Sequence, residues 1–561
     1  MVATSQDLDT LKRTLAVLDG RQAHAYAELA GEYDYGDFTL VVDHMPDDPA
    51  KQPARLRARV KTETARFPRD VFHTRSREIA ARDFLARALA SAAAQFTGAP
   101  SGKHAARLYV DRPGQEMLET SAVVTGGGFI EARFTVELPV RRDRIAGNAA
   151  ADLFINAAPR VVRAGLMFRN LDGEGLADWI ETGEDADTAR RMLAELGLVA
   201  FIADGSVLPG KREGAQRVTF RAPEELAVTL ELPNAGKTRG MGIPRGITLV
   251  VGGGGSGKST LLRALESGVY NHIPGNGREL VVTAGDAVSV RTEEGRRIEN
   301  VDISPFFAPT EGNDTRRYSV GSASGSASQA ANLAEALEIG ISLLIMDEDT
   351  SAADIISRDA RFRALVPAGR DTITPLVDIL PALRDKMGIS TIAAVSSGDY
   401  LDIADTVVLM DRYMAVSATA EARGIREEFP SMRDLRTVEF SPPAPRCPLG
   451  ASLEPRKNPG AGRPRPYGRG FIQYGDEHID CTMVGQLVSP SQERAISRAI
   501  ALVHRLMDGS NSLREAVDRV MERVNTVGLD TLSGRLMGDL ASFRAHELAA
   551  AVNRLKRLKV K

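Results

Sequence analysis

The sequence holds 561 residues, 43% of them hydrophobic, with a formal charge of −3 at pH 7. Such a chain can bury sizeable cores and is read as a globular protein of two to four domains. No apolar run reaches the eighteen or more residues of a membrane span, and the opening MVATSQDLDTLKRTL lacks the apolar segment of a secretory signal. Cys447 and Cys481 are too few for a disulfide framework and lack zinc-ligand spacing. The expectation is a cytoplasmic protein with no membrane partner.

In chain order, Leu8, Leu11, Leu15 and Leu18 fall on one helical face closed by Gly20, and DFTLVVDHM then predicts a strand. In ARLRARVK, Arg55, Arg57, Arg59 and Lys61 alternate with Leu56, Ala58 and Val60. A strand here buries one face and presents four cations on the other. Residues 51–77 carry nine Lys or Arg against two acids, which reads equally as a solvated face or a phosphate-backbone surface. GAPSGKH, from Gly98, has three residues where a phosphate loop needs four, and His104 where a hydroxyl should bind metal, so it is read as a loop.

Near residue 240 the texture changes. GITLVV is β-branched and apolar like a buried strand, and VGGGGSGKSTLLRAL comes next. Gly252, Gly253, Gly254, Gly255, Ser256, Gly257, Lys258 and Ser259 satisfy G-x-x-x-x-G-K-[ST], and Thr260 continues into the helix. Backbone N–H groups of such a loop wrap phosphate oxygens, the lysine reaches the terminal phosphates, and the helix adds its positive end. Hydrolysis also needs a metal carboxylate and a group that orients water. ISLLIMDED supplies both: an apolar strand delivers Asp347 toward Mg²⁺ and places Glu348 one residue beyond.

Eight of the 28 prolines lie between Pro442 and Pro466, so this stretch is read as a linker or extended arm. Its RKNPGAGRPRPYGRGFIQY holds five cations interleaved with Tyr467, Phe471 and Tyr474, and NRLKRLKVK ends the chain with five more. Cations of this kind can track phosphate while aromatics stack unpaired bases; a solubilising linker and a charged helix end fit equally well. Ser489 and Gln492 predict a capping box, with Ile496, Ile500, Val503 and Met507 at helical spacing behind it. Two further helices are predicted at NSLREAVDRVMERV and HELAAAVNRLKRL.

Several of these segments resemble a known family. DEDTSAAD, Asp347 to Asp354, resembles the DEPTSALD run of ABC-type ATPases, with Asp349 in place of proline. VGSASGSASQAANLAEALEIG resembles the signature segment, with Ser324, Gly325, Ser326 and Gln329 in matching places, and STIAAVSSGDYLDIADTVVLMD resembles the switch strand and its succeeding segment. With GMGIPRGITLVVGGGGSGKST, NVDISPFF and GEYDYGDFTLVVDH, the chain is similar to the soluble predicted ATPases of the ABC class over most of its length.

The resemblance implies an α/β fold: a P-loop ABC-type core with a reduced helical subdomain, an N-terminal α/β domain and a mainly helical C-terminal domain. The expected divisions are 1–240, with a nucleic-acid-binding surface as one reading, 241–440 for the ATPase, 441–475 for the linker and 476–561 for the helical end. It implies ATP and Mg²⁺, with Lys258 on the β and γ phosphates, Ser259 and Asp347 on the metal and Glu348 on water. Ser324, Gly325 and Ser326 would close on the nucleotide of a second copy, giving a head-to-tail homodimer. Three departures stand out. The switch histidine would fall near Ser396 or Ser397, and none lies between His272 and His478; the usual glutamine is missing near Asp302 and Ser304; and no aromatic lies between Arg221 and Val269 to stack on a base. About twenty residues separate ISPFF from the signature, too few for a transporter's coupling subdomain. The expected function is an ATP-hydrolysing clamp acting on single-stranded RNA or DNA, RNA favoured. The alternatives are a slow regulatory clamp with a protein partner and a P-loop small-molecule kinase.

Overall fold

The computed structural model describes residues 5–49, 52–97, 107–208, 218–310, 314–367, 370–431, 440–455 and 469–561. GAPSGKH and the arm from Arg456 to Gly468 lie outside the described residues. The chain divides into two compact units, residues 1–184 with 527–542, and residues 185–526 with 543–561. The division falls at 184 instead of 240 because strands on both sides of residue 240 belong to one sheet: Ala227–Leu232, Gly236–Pro244, Leu198–Ala203 and Val281–Thr283 are neighbours in that order. Among the described residues no helix is long and apolar enough to cross a membrane.

The first unit is built on a seven-stranded sheet whose middle is the pair Ala54–Lys61 and Phe129–Glu137. The leucine face of helix Leu8–Leu18 is buried as its spacing requires, and Asp7 caps its first turn through Thr10 N–H. The four cations of ARLRARVK do not share one solvent face. Arg57 is buried between Asp43 and Glu131, and Arg59 donates to Glu131 at 2.8 Å, because the strand is central and its polar face is covered. Part of that cover comes from the far end of the chain. Arg133, on the neighbouring strand, reaches Asp530 and the Met537 carbonyl, and a Cβ on Gly538 would stand 2.7 Å from Arg133 Cβ.

The second unit carries a six-stranded sheet in the order Val288–Ser289, Leu343–Asp347, Ser390–Ala394, Ile247–Val251, Thr406–Asp411, Met414–Ser417. The first five strands run parallel and the last is antiparallel. Ile247 and Leu249 point to one face, where they share a core with Leu344, Met346 and Ala393, with helix Gly325–Ile339 and with helix Leu376–Met387. Between Ile303 and Ser324 the described chain forms an isolated bridge from Phe307 to Ile373, a 3-10 turn, Thr315–Arg317, and the second strand of a short hairpin, Ile298–Val301 with Tyr318–Val320.

The capping box at Ser489 and Gln492 is formed, and Ile496, Ile500 and Val503 of helix Pro490–Leu506 are fully buried. The described start of the proline-rich stretch is packed: Arg446 plugs into Glu338, and residues 447–449 hydrogen-bond the chain end at Lys559 and Lys561. The cations of the chain end are engaged in turn. Arg554 pairs with Glu293, Arg557 with Asp476 and Glu477, and Lys559 with Glu299. Tyr474 is a core residue whose hydroxyl donates to the Leu453 carbonyl, so it is no stacking platform.

Candidate nucleotide site

Strand Ile247–Val251 ends in the glycine loop, and helix Lys258–Ser267 leaves it. Gly252, Gly255 and Gly257 hold φ of 146°, 72° and 110°, which side chains rarely adopt. Gly252 has a second reason to be glycine, since a Cβ there would collide with the Met410 carbonyl oxygen. On the outer curve no atom lies within 4 Å of where a Cβ on Gly253, Gly254 or Gly255 would stand, so the cradle opens onto space. Lys258 Nζ donates to the carbonyls of Gly252 at 2.6 Å and Gly253 at 3.0 Å, which parks the ammonium across the loop mouth.

The acids reach this loop from two strands away. Asp347 lies level with Ala394, which in turn lies level with Val250 at the end of the loop strand. Ser259 Oγ stands 3.5 Å from Asp349 Oδ2, and the Asp349 N–H donates to Asp347 Oδ1 at 3.3 Å. These groups are a hydroxyl and carboxylates, the hard oxygen ligands that Mg²⁺ takes together with phosphate oxygens. Among the described residues no group of three His, Cys, Asp or Glu side chains could hold a metal by itself. Ser259 and Asp347 are the residues that fit the ion, which when bound would neutralise charge between the β and γ phosphates. Asp349, present where the resembling run has proline, brings a further carboxylate to Ser259 that its sequence position did not announce.

Glu348 Oε2 accepts the Ser396 N–H at 2.6 Å, which ties this carboxylate to the loop after strand Ser390–Ala394. Where a histidine would stand, Ser397 Oγ donates to Ser357 Oγ at 3.1 Å, and Ser357 donates to Asp399 at 3.0 Å. A hydroxyl relay anchored on a carboxylate thus occupies the switch. Asp302 and Ser304 instead close a local turn through the Ser304 N–H.

Ser324 caps helix Gly325–Ile339 by accepting the Ala327 N–H, while the Ser326 hydroxyl donates to Asp354 at 2.6 Å. Gln329 is buried and bridges the helix to the acidic run, donating to Ser351 Oγ at 2.9 Å and accepting the Ala352 N–H at 2.8 Å. The signature is therefore fastened to residues 351–354 of its own chain. The neighbouring segment joins in: the Thr292 N–H donates to the Thr350 carbonyl, and the Glu293 N–H to Ser328 Oγ. Burial pushes the Glu293 carboxyl up, but the adjoining Arg554 guanidinium outweighs it and holds the group below the usual carboxylate range. No local pattern marks Glu293 and Arg554 as partners, since 261 residues separate them.

Family models match most of the chain. The family model described as a P-loop domain of ABC ATPases matches residues 172–443, and "ATPase of the ABC class N-terminal" matches residues 8–169. The chain belongs to the ABC-class ATPase family. A third family model, "MRB1590 C-terminal domain", matches residues 465–561 of this ABC-class ATPase. The chain is 30% identical over 223 residues to the uncharacterized protein MJ1628 of Methanocaldococcus jannaschii, across 37% of its own length and 48% of that protein's. It thus spans about half the length of the curated relative it matches. A bacterial Atm1-family ABC exporter solved with ATP bound aligns over 51% of each chain at 16% identity, with a TM-score of 0.25.

Proposed function

We propose that this ABC-class ATPase hydrolyses ATP with Mg²⁺ between two head-to-tail copies and uses the closure to act on nucleic acid, RNA before DNA. The observation that carries the reading is the division of labour around residue 350. Lys258 spans the loop carbonyls and Ser259 meets Asp349 beside Asp347, while Ser326 and Gln329 fasten the signature helix to residues 351–354 and would leave Ser324 and Gly325, at its start, for a second nucleotide. Within that site the Lys258 ammonium would exchange its two carbonyls for phosphate oxygens, and Glu348 would hold the attacking water and take its proton. Anchoring of Glu348 by Ser396 keeps the carboxylate oriented without cost at the moment of reaction.

Complementation tests the pairing. Ser324→Arg is expected to stop hydrolysis while ATP still binds each cradle, because the serine serves the partner's nucleotide. Mixed with Lys258→Ala protein, it should regain part of its activity, since one composite site in the heterodimer lacks both lesions. Phosphate release and labelled-ATP binding read the result. Inactive mixtures with subunit exchange demonstrated, or a strictly monomeric ATP complex, count against the pair.

The nucleic-acid partner rests on the cation- and aromatic-bearing stretch from Arg456 to Phe471. The cations near residue 57 and at the chain end contribute less, because many of them are held in the ion pairs described above. Binding of labelled single-stranded RNA should weaken linearly in log salt, with a slope of about 0.7 per neutralised phosphate. Replacing Arg463, Arg465 and Arg469 by Ala should flatten that slope, whereas Tyr467→Ala should lower affinity at unchanged slope. If neither RNA nor DNA binds below micromolar concentration at moderate salt, with or without ATP, a protein takes the partner's place.

A further inference from the structure

Strand Thr406–Asp411 runs parallel to the loop strand, with Val251 level with Leu409, so both deliver their ends to the same edge of the sheet. There the chain reverses through Arg412 and Tyr413 into strand Met414–Ser417, with Asp411 opposite Met414. Both turn residues are left-handed, φ 47° and 68°, in a two-residue hairpin that ordinarily calls for Asn-Gly. A tyrosine in that conformation is strained, and strain of this kind gathers at functional sites.

The turn is locked onto the phosphate loop. The Tyr413 N–H donates to the Ser256 carbonyl at 2.7 Å, and a Cβ on Gly257 would stand 2.8 Å from Tyr413 Cδ1. The ring is only partly buried, although it sits beside the start of the phosphate-binding helix. Strand Met414–Ser417 also packs against the 3-10 turn Glu224–Leu226, which leads into the antiparallel sheet. The sheet order then orients the ligand. Glu348 and Asp347 lie on one side of the loop strand, beyond Ser390–Ala394, and so must meet the γ-phosphate end. A nucleotide laid across the loop in that sense would carry its nucleoside end to the other side, where the Arg412–Tyr413 turn stands. Residues 222–268 offer no aromatic for that end.

We propose that Tyr413 is the nucleoside-facing aromatic of this site, stacking on the base, and that the left-handed turn is retained to hold its ring beside Gly257. The proposal rests on the ATP reading of the glycine loop. Its test compares Mg-ATP with inorganic tripolyphosphate in calorimetric titrations of the full chain. Tyr413→Phe should bind ATP within about twofold of the parent, because the stacking face is kept. Tyr413→Ala and Tyr413→Gly should weaken ATP about tenfold or more and leave tripolyphosphate unchanged. Tyr413→Gly should also raise the melting temperature of the free protein, since glycine takes the left-handed conformation without strain, so its weaker ATP binding cannot come from a damaged fold. Equal weakening of ATP and tripolyphosphate would make Tyr413 a prop for the loop and overturn the proposal, as would unchanged ATP affinity in both the Ala and Gly variants. Failure of the parent to bind either compound would overturn the ATP reading itself.

Discussion

Glu348→Gln is expected to keep ATP bound and to lower turnover at least tenfold, whereas Lys258→Ala should abolish ATP binding. The amide of glutamine can still present an oxygen to the Ser396 N–H, now 2.6 Å from Glu348 Oε2, so the switch loop keeps its anchor. What is lost is the charge that, in the proposed mechanism, orients water and accepts its proton. A tenfold loss corresponds to about 1.4 kcal/mol of barrier, a modest demand on a group in that role. Lys258 acts earlier. Its ammonium already spans the carbonyls of Gly252 and Gly253, and removing it leaves a polyanionic ligand facing a loop with no compensating charge. Labelled-ATP binding and phosphate release, measured side by side, separate the two effects. Equal loss of binding in both variants would show that Glu348 serves the ground state and not the attacking water.

Arg446→Ala should be strongly destabilising although it lies outside the nucleotide site. Arg446 is buried and donates its backbone N–H and its guanidinium Nε–H and Nη2–H to the Glu338 carboxylate, with a further bond from Nη2 to Asn553 Oδ1 at 2.8 Å. Truncation strands the Glu338 carboxylate, also buried, on the last turns of the signature helix. Breaking a buried pair from one side costs about 3–5 kcal/mol, and replacing both partners by apolar residues of similar size costs far less. Thermal unfolding of Arg446→Ala beside the double variant Arg446→Met, Glu338→Leu should show a large fall in midpoint for the first and substantial recovery for the second. If the two fall equally, the pair is not the source of the stability.

The parts legible in the sequence are those governed by local spacing. The glycine loop, the apolar strand before Asp347, the Ser489–Gln492 capping box and the leucine face of the first helix each depend on residues within a few positions of one another. Features that depend on distant partners are not legible in this way. ARLRARVK alternates like an exposed-edge strand, yet Arg57 meets Asp43 and Glu131 because strands on both sides make it central. Tyr474 sits in a basic, aromatic-rich run that resembles a base-stacking surface, but a packed hairpin buries it. The strands before residue 240 carry no phosphate chemistry, so no motif reveals that they share a sheet with Gly236–Pro244. Asp349 and Tyr413 are hidden for another reason: each acts by touching the loop from a strand end, and strand order is absent from a linear pattern.

Residues 527–542 complete the N-terminal unit in a way that matters for inheritance. The sixteen-residue segment lies some 400 residues along the chain from Arg133, yet it caps that side chain and lies against the sheet that carries it. A recombination event that traded only the first 184 codons would pair a new sheet with an old cover, and the buried guanidinium of Arg133 would have to find Asp530 in a foreign sequence. Residues 1–184 and 527–542 are therefore expected to travel together, and substitutions at positions 133 and 530 to be tolerated only in company.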